Sequence, residues 1–144
     1  MTTERSTDPA ATRRRDGNLW LGYVAPLVAA VLAAWAFYGP GRFDSTPLRL
    51  SLELFGTAAA VGAFWPGRDW HVWLLGFAAA GFALTGLASL STIGPLAWLA
   101  AALCVVAIVD AAHTADREGA SLGRVPLLGA LVAAAVIAGV HLVL

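Results

Sequence analysis

Few side chains in this chain could take part in chemistry, and nearly all lie inside or at the rim of long apolar runs. Two are carboxylates, Glu53 and Asp110. A charged group placed in hydrocarbon costs on the order of 3 kcal/mol, so each needs a reason to be there. One reason is function: a membrane-embedded carboxyl group is what a proton- or cation-coupled carrier needs. The other is structural pairing, and it is the preferred expectation. Arg49 lies four residues before Glu53 and can reach it, although Arg before Glu is the poorer order on a helix. Thr85, Ser89 and Thr92 form a polar stripe at the depth of Glu53 and could satisfy it across two helices.

Three histidines complete the set. His113 lies three residues after Asp110, so the two share a helix face. His71 opens the apolar run before the one that holds Asp110, and the link between those runs is so short that they must be neighbours. Two histidines on adjacent helices can ligate a haem axially, or a metal together with Asp110. Against that, both belong to the wet interface, where histidine is commonplace, and the spans offer no further ligand. No cofactor is therefore expected, with haem on His71 and His113 kept as the alternative. Asp110 is then expected to bond His113 or a nearby arginine, or to sit in a hydrated pocket. His141, near the far end, reads as interfacial. Cys104 is the single cysteine, which excludes an internal disulfide and a cysteine-based zinc site.

The elements that position these residues follow from composition. The chain has 144 residues, 59% of them hydrophobic and 12% charged. A water-soluble domain carries about 25% charged residues. The formal net charge is +0, from nine arginines, nine acids and no lysine, so nothing here attracts nucleic acid. Residues 1–17 read as a disordered polar tail, and residues 18–144 as one helical domain. Within it lie five apolar runs, at about 19–38, 48–65, 70–91, 95–114 and 125–144. Each is long enough, at about 1.5 Å per residue, to cross a hydrocarbon layer of about 30 Å. The fold class that follows is all-α: a polytopic transmembrane bundle of about five antiparallel spans. Pro47, Pro95 and Pro126 fall in first turns, where no backbone bond is lost, Trp65-Pro66-Gly67 stops the second helix, and Asp69 is placed to cap the third. Pro26 falls inside the first helix. The stretch from Ala115 to Arg124 reads as a solvated link.

Arginine sets the orientation. With the N-terminus inside, Arg5, Arg13, Arg14, Arg15, Arg68, Arg117 and Arg124 are inside, and only Arg42 and Arg49 are outside. Arg13, Arg14, Arg15, Arg68, Arg117 and Arg124 are thus the topology anchors. Trp20, Trp65, Trp70 and Trp73 mark the inner interface, and Trp35 and Trp98 the outer one. The first run is too long for a cleaved signal peptide and reads as a retained span.

No phosphate loop, H-E-x-x-H, G-x-S-x-G or cysteine-pair motif occurs, and no enzyme is expected. Many glycines and alanines line the runs and allow close helix packing, but Gly76, Gly81 and Gly86 are five apart, not the four of a dimer face. Three functions fit, in this order: a small non-enzymatic membrane subunit or scaffold, whose partners are the bilayer and other membrane helices in a homo-oligomer or larger complex; a small oligomeric proton- or cation-coupled transporter or channel using Glu53 and Asp110; and a haem-bearing electron-transfer subunit.

Overall fold

The computed structural model describes residues 9–38, 46–89 and 93–143, with side chains from Leu21 onward except Phe37 and Thr46. Among these residues the fold is entirely helical: α1 (Pro9–Tyr38), α2 (Thr46–Phe64), α3 (Arg68–Ala88), α4 (Gly94–Arg117) and α5 (Val125–Val143). α1 begins at Pro9 and so runs through residues 9–17, which the sequence assigned to a disordered tail. Proline suits a first helical position, and Ala10, Ala11 and the arginines are good helix formers. Residues 1–8 of that tail lie outside the described residues. Pro47, Pro95 and Pro126 all fall in first turns as expected. Asp69 does not cap α3. Gly67 holds the N-cap position, with no side-chain bond, and Asp69 sits within the first turn, where its charge suits the helix dipole.

α1 to α4 form a closed up-and-down ring in which each helix packs on the next and α4 returns to α1. α5 lies outside that ring and packs almost entirely on α3. α3 is therefore the hub, with α2, α4 and α5 around it. Its three glycines explain how. Five residues advance a helix by about 140° beyond a full turn, so the spacing aims Gly76, Gly81 and Gly86 at three different sides. A Cβ on Gly76 would lie 2.9 Å from Pro126 Cα of α5, one on Gly81 would strike the Phe55 ring of α2, and one on Gly86 the Trp98 ring of α4. The spacing that fits no single dimer face fits three neighbours.

The chain reaches α5 from α4 through an exposed link, as expected, but one with an ordered fold. Glu118 and Gly119 end α4: Gly119 N–H donates to the Asp116 carbonyl (3.0 Å) and Ala120 N–H to the Ala115 carbonyl (2.9 Å). Gly119 takes φ +71° there, a left-handed turn that glycine adopts without strain. Leu122 then tucks against Val72 and Ala115, and Arg68 Nη1 meets Glu118 Oε2 at 2.7 Å. These contacts hold the loop on the start of α3 and begin α5 beside it.

Packing is inverted relative to a water-soluble bundle. Most buried apolar side chains are alanines, for example Ala29, Ala59, Ala78 and Ala107. Large ones face outward, with Val31 65%, Leu131 67% and Leu142 86% exposed. Small residues inside bring helices close, and bulky apolar ones outside suit an apolar solvent. α3, α4 and α5 are long and apolar enough to cross a membrane. The other two runs expected from sequence are present as helices α1 and α2. In α1 only Leu21–Ala36 is described as apolar, and α2 is diluted by Arg49, Ser51, Glu53 and Thr57.

Candidate functional site

The polar groups gather in two clefts, both against α1. The first lies at the end of the bundle that carries Arg68, Arg117 and Arg124. It has a volume of about 200 Å³ and is walled by Gly22 and Tyr23 of α1, Trp65, Pro66 and Arg68 of the α2–α3 corner, His71 of α3, and Asp110, Ala111 and Thr114 of α4.

Each wall has a local cause. His71 Nδ1 lies 2.6 Å from the Gly62 carbonyl. A carbonyl can only accept, so Nδ1 carries a proton, and in the neutral ring the lone pair is then on Nε2. The His71 ring stands 6.5 Å from that of Tyr23, centroid to centroid. The carboxylate of Asp110 reaches toward α1, where a Cβ on Gly22 would lie 3.5 Å from Oδ2. Among the described residues that carboxylate meets no hydrogen-bond or ion-pair partner. Thr114 Oγ1 donates to the Asp110 backbone carbonyl at 3.0 Å, which leaves its own lone pairs as acceptors. Pro26, buried in α1, has no N–H, so the carbonyl of Gly22 four residues earlier lacks its usual helical donor.

The structure thus brings Asp110 and His71 into one cleft, and leaves His113 out of it. His113 is exposed. From Asp110 it lies about 60° round the helix in one direction, whereas Thr114 lies about 40° in the other, on the cleft side. Among the described residues Asp110 pairs with neither His113 nor an arginine, and the two histidines expected to share a haem do not line the same cleft. Among the described residues no three His, Cys, Asp or Glu side chains cluster as a metal would require.

The second cleft, about 300 Å³, lies between α1 and α2 and is lined by Ala30, Ala33, Tyr38, Glu53, Gly56 and Thr57. Glu53 faces this groove and is exposed, so it does not meet the polar stripe of α3. Its carboxylate has no ion-pair partner among the described residues, and Thr57 Oγ1 donates to its backbone carbonyl (2.8 Å) instead. Thr85 is buried, and its hydroxyl has no partner among the described residues, while Ser89 Oγ donates to the Thr85 carbonyl at 2.8 Å. Thr92 lies outside the described residues. His141 is exposed, with Nδ1 3.0 Å from the Ile137 carbonyl. Of the anchors, Arg117 and Arg124 are exposed at the end that holds the Arg68–Glu118 pair; the side chains of Arg13, Arg14 and Arg15 lie outside those described.

Sequence reasoning found Asp110 and His71 but missed Gly22, Tyr23, Thr114 and the Gly62 carbonyl. One signal was available: Pro26 stands four residues after Gly22, and that spacing frees a carbonyl. Compared with protein-family models, curated proteins and solved structures, the chain matches none.

Proposed function

We propose that this chain is a multi-pass protein of the cell membrane, its N-terminus cytoplasmic and its C-terminus outside, that works as a non-enzymatic subunit or scaffold for other membrane helices. All five helices cross the bilayer in this reading, with α2 packed between α1 and α3 as a member of the ring. Seven of nine arginines then face the cytoplasm. The observation that carries the proposal is α5. Only Gly129 and Ala133 of that helix are buried, both toward α3. Its far side presents Leu131, Ala135 and Gly139, and nothing lies within 4 Å of a Cβ on Gly139. A ridge beside a column of small residues suits another helix. The test is photocrosslinking in native membranes from Leu131 or Gly139, with Val31 of α1 as control. A discrete protein adduct from α5 positions alone is expected. Lipid adducts from all three would sink the proposal.

A second reading, a small cation- or proton-coupled carrier, draws on Glu53 and Asp110. Each carboxylate lacks a partner among the described residues and lines a cleft on α1, on either side of the buried Pro26. Ion flux in proteoliposomes that is unchanged in Glu53→Gln would remove its main support.

A further inference from the structure

We infer that the cleft between α1, α3 and α4 binds a small organic ammonium group, with Asp110 as its counter-ion and Tyr23 and Trp65 as its aromatic walls. The inference stands on the cleft alone and does not depend on whether the protein is a scaffold or a carrier.

Charge selects the ligand. Among the described residues two charged side chains line the cleft, Arg68 and Asp110. Arg68 is held by Glu118 at 2.7 Å across the bundle end, which neutralises it. Asp110 has no such partner among the described residues, so the uncompensated charge of the cleft is negative. Hydrogen-bonding capacity agrees. His71 is fixed by Gly62 through Nδ1, which in the neutral ring leaves Nε2 as an acceptor. Thr114 spends its proton on the Asp110 carbonyl and offers lone pairs. The Gly22 carbonyl is released by Pro26. The Asp110 carboxylate, the Thr114 hydroxyl oxygen and the Gly22 carbonyl are thus acceptors, and a cationic N–H supplies the donor they lack.

Shape distinguishes an organic cation from a bare metal ion. Three clustered acidic or imidazole ligands are absent among the described residues. The volume of about 200 Å³ exceeds the roughly 30 Å³ share of one water several times over. Tyr23 and Trp65 add π-faces, which attract a cation through the ring quadrupole within about 6 Å. A carboxylate beside aromatic rings at a membrane interface fits the head of an amine-bearing phospholipid and a free amine equally well, since both carry the same ammonium chemistry.

The experiment uses the full chain in detergent, titrated with ethanolamine hydrochloride or methylammonium chloride, with sodium chloride at matched ionic strength as blank. Tryptophan fluorescence is the readout, with Trp65→Phe to assign the signal. Saturable binding is expected, weakened at least tenfold by Asp110→Asn and unchanged by Glu53→Gln. Gly22→Val is the second variant, because it puts methyl groups between α1 and the carboxylate without altering any charge; it too is expected to abolish binding. No saturable response in the wild type, or equal binding in Asp110→Asn and Gly22→Val, overturns the inference. Repeating the titration in nanodiscs identifies the source. If phosphatidylethanolamine bilayers block the probe and phosphatidylglycerol bilayers do not, the occupant is a lipid headgroup; if the probe binds in both, it is a soluble amine.

Discussion

Replacing Gly129 by leucine should release α5 from the bundle. A Cβ at this position lies 2.9 Å from the Phe77 backbone nitrogen and closer still to the Trp73 carbonyl oxygen. Non-bonded carbon prefers about 3.5–4.0 Å, so the first carbon alone forces α5 back by about 0.6 Å at the nitrogen, and the rest of the leucine forces it further. Both obstacles are backbone atoms of α3 and cannot rotate away. A gap of about 0.5–1 Å already forfeits a quarter to a half of the contact attraction. α5 has little to spare, because Gly129 and Ala133 are its only buried residues. Overpacking costs about 1–3 kcal/mol, and rigid obstacles put this case near 3, roughly a hundredfold in the docked-to-free ratio. Hydrogen exchange across α5, with thermal unfolding in detergent, reads that change. Gly139→Leu is the control, since its side chain would enter open space and leave intramolecular stability unchanged. If the two variants exchange and unfold alike, α5 is not held by the glycine contact, and the hub arrangement of α3 is wrong.

Two of the three α3 glycines, Gly81 and Gly86, give graded outcomes. Gly81→Val should destabilise strongly, because Phe55 is wholly buried with ring neighbours Phe77 at 5.1 Å and Phe82 at 6.2 Å, and has nowhere to go. Gly86→Val should cost less, because Trp98 is 51% exposed and can swing aside; chemical unfolding of the two variants compares them directly. Arg68→Ala removes an ion pair whose side chains are 40% and 59% exposed, so unfolding should weaken by less than about 1 kcal/mol, and raising the salt should shrink the difference.

The helices were legible because membrane spans are written in plain terms: a long apolar run, a proline in the first turn, a Trp-Pro-Gly stop. The helix ends were less so. Asp69 looks like a cap from sequence, yet α3 starts at Arg68 and leaves it one position inside. The α4–α5 loop reads as polar because it holds Asp116, Arg117 and Glu118. Its fold depends on Gly119 and on one leucine, Leu122, which buries itself at a distance no local pattern reveals. Partner choice among helices was illegible for a different reason. Small residues say that something comes close, but not what.

The clefts show where such reading stops. Asp110 stands out in sequence because a carboxylate in an apolar run is costly, and His71 because the short α3–α4 link makes the two helices adjacent. Pairing His71 with His113 used the right helices and the wrong face: a residue three along from Asp110 and a residue four along lie on opposite sides of it, and only the second turns toward α1. α1 decides this, since the cleft exists only where α1 closes the ring against α4. That closure joins the first helix to the fourth, a contact between residues about ninety positions apart that no short-range spacing encodes. The same closure separates Glu53 from Asp110. Both carboxylates border α1, but Glu53 looks from α2 into one groove and Asp110 from α4 into another. Any mechanism that uses the two together must therefore act through α1, and Pro26, buried between them, is the one place in that helix where the backbone already lacks a bond.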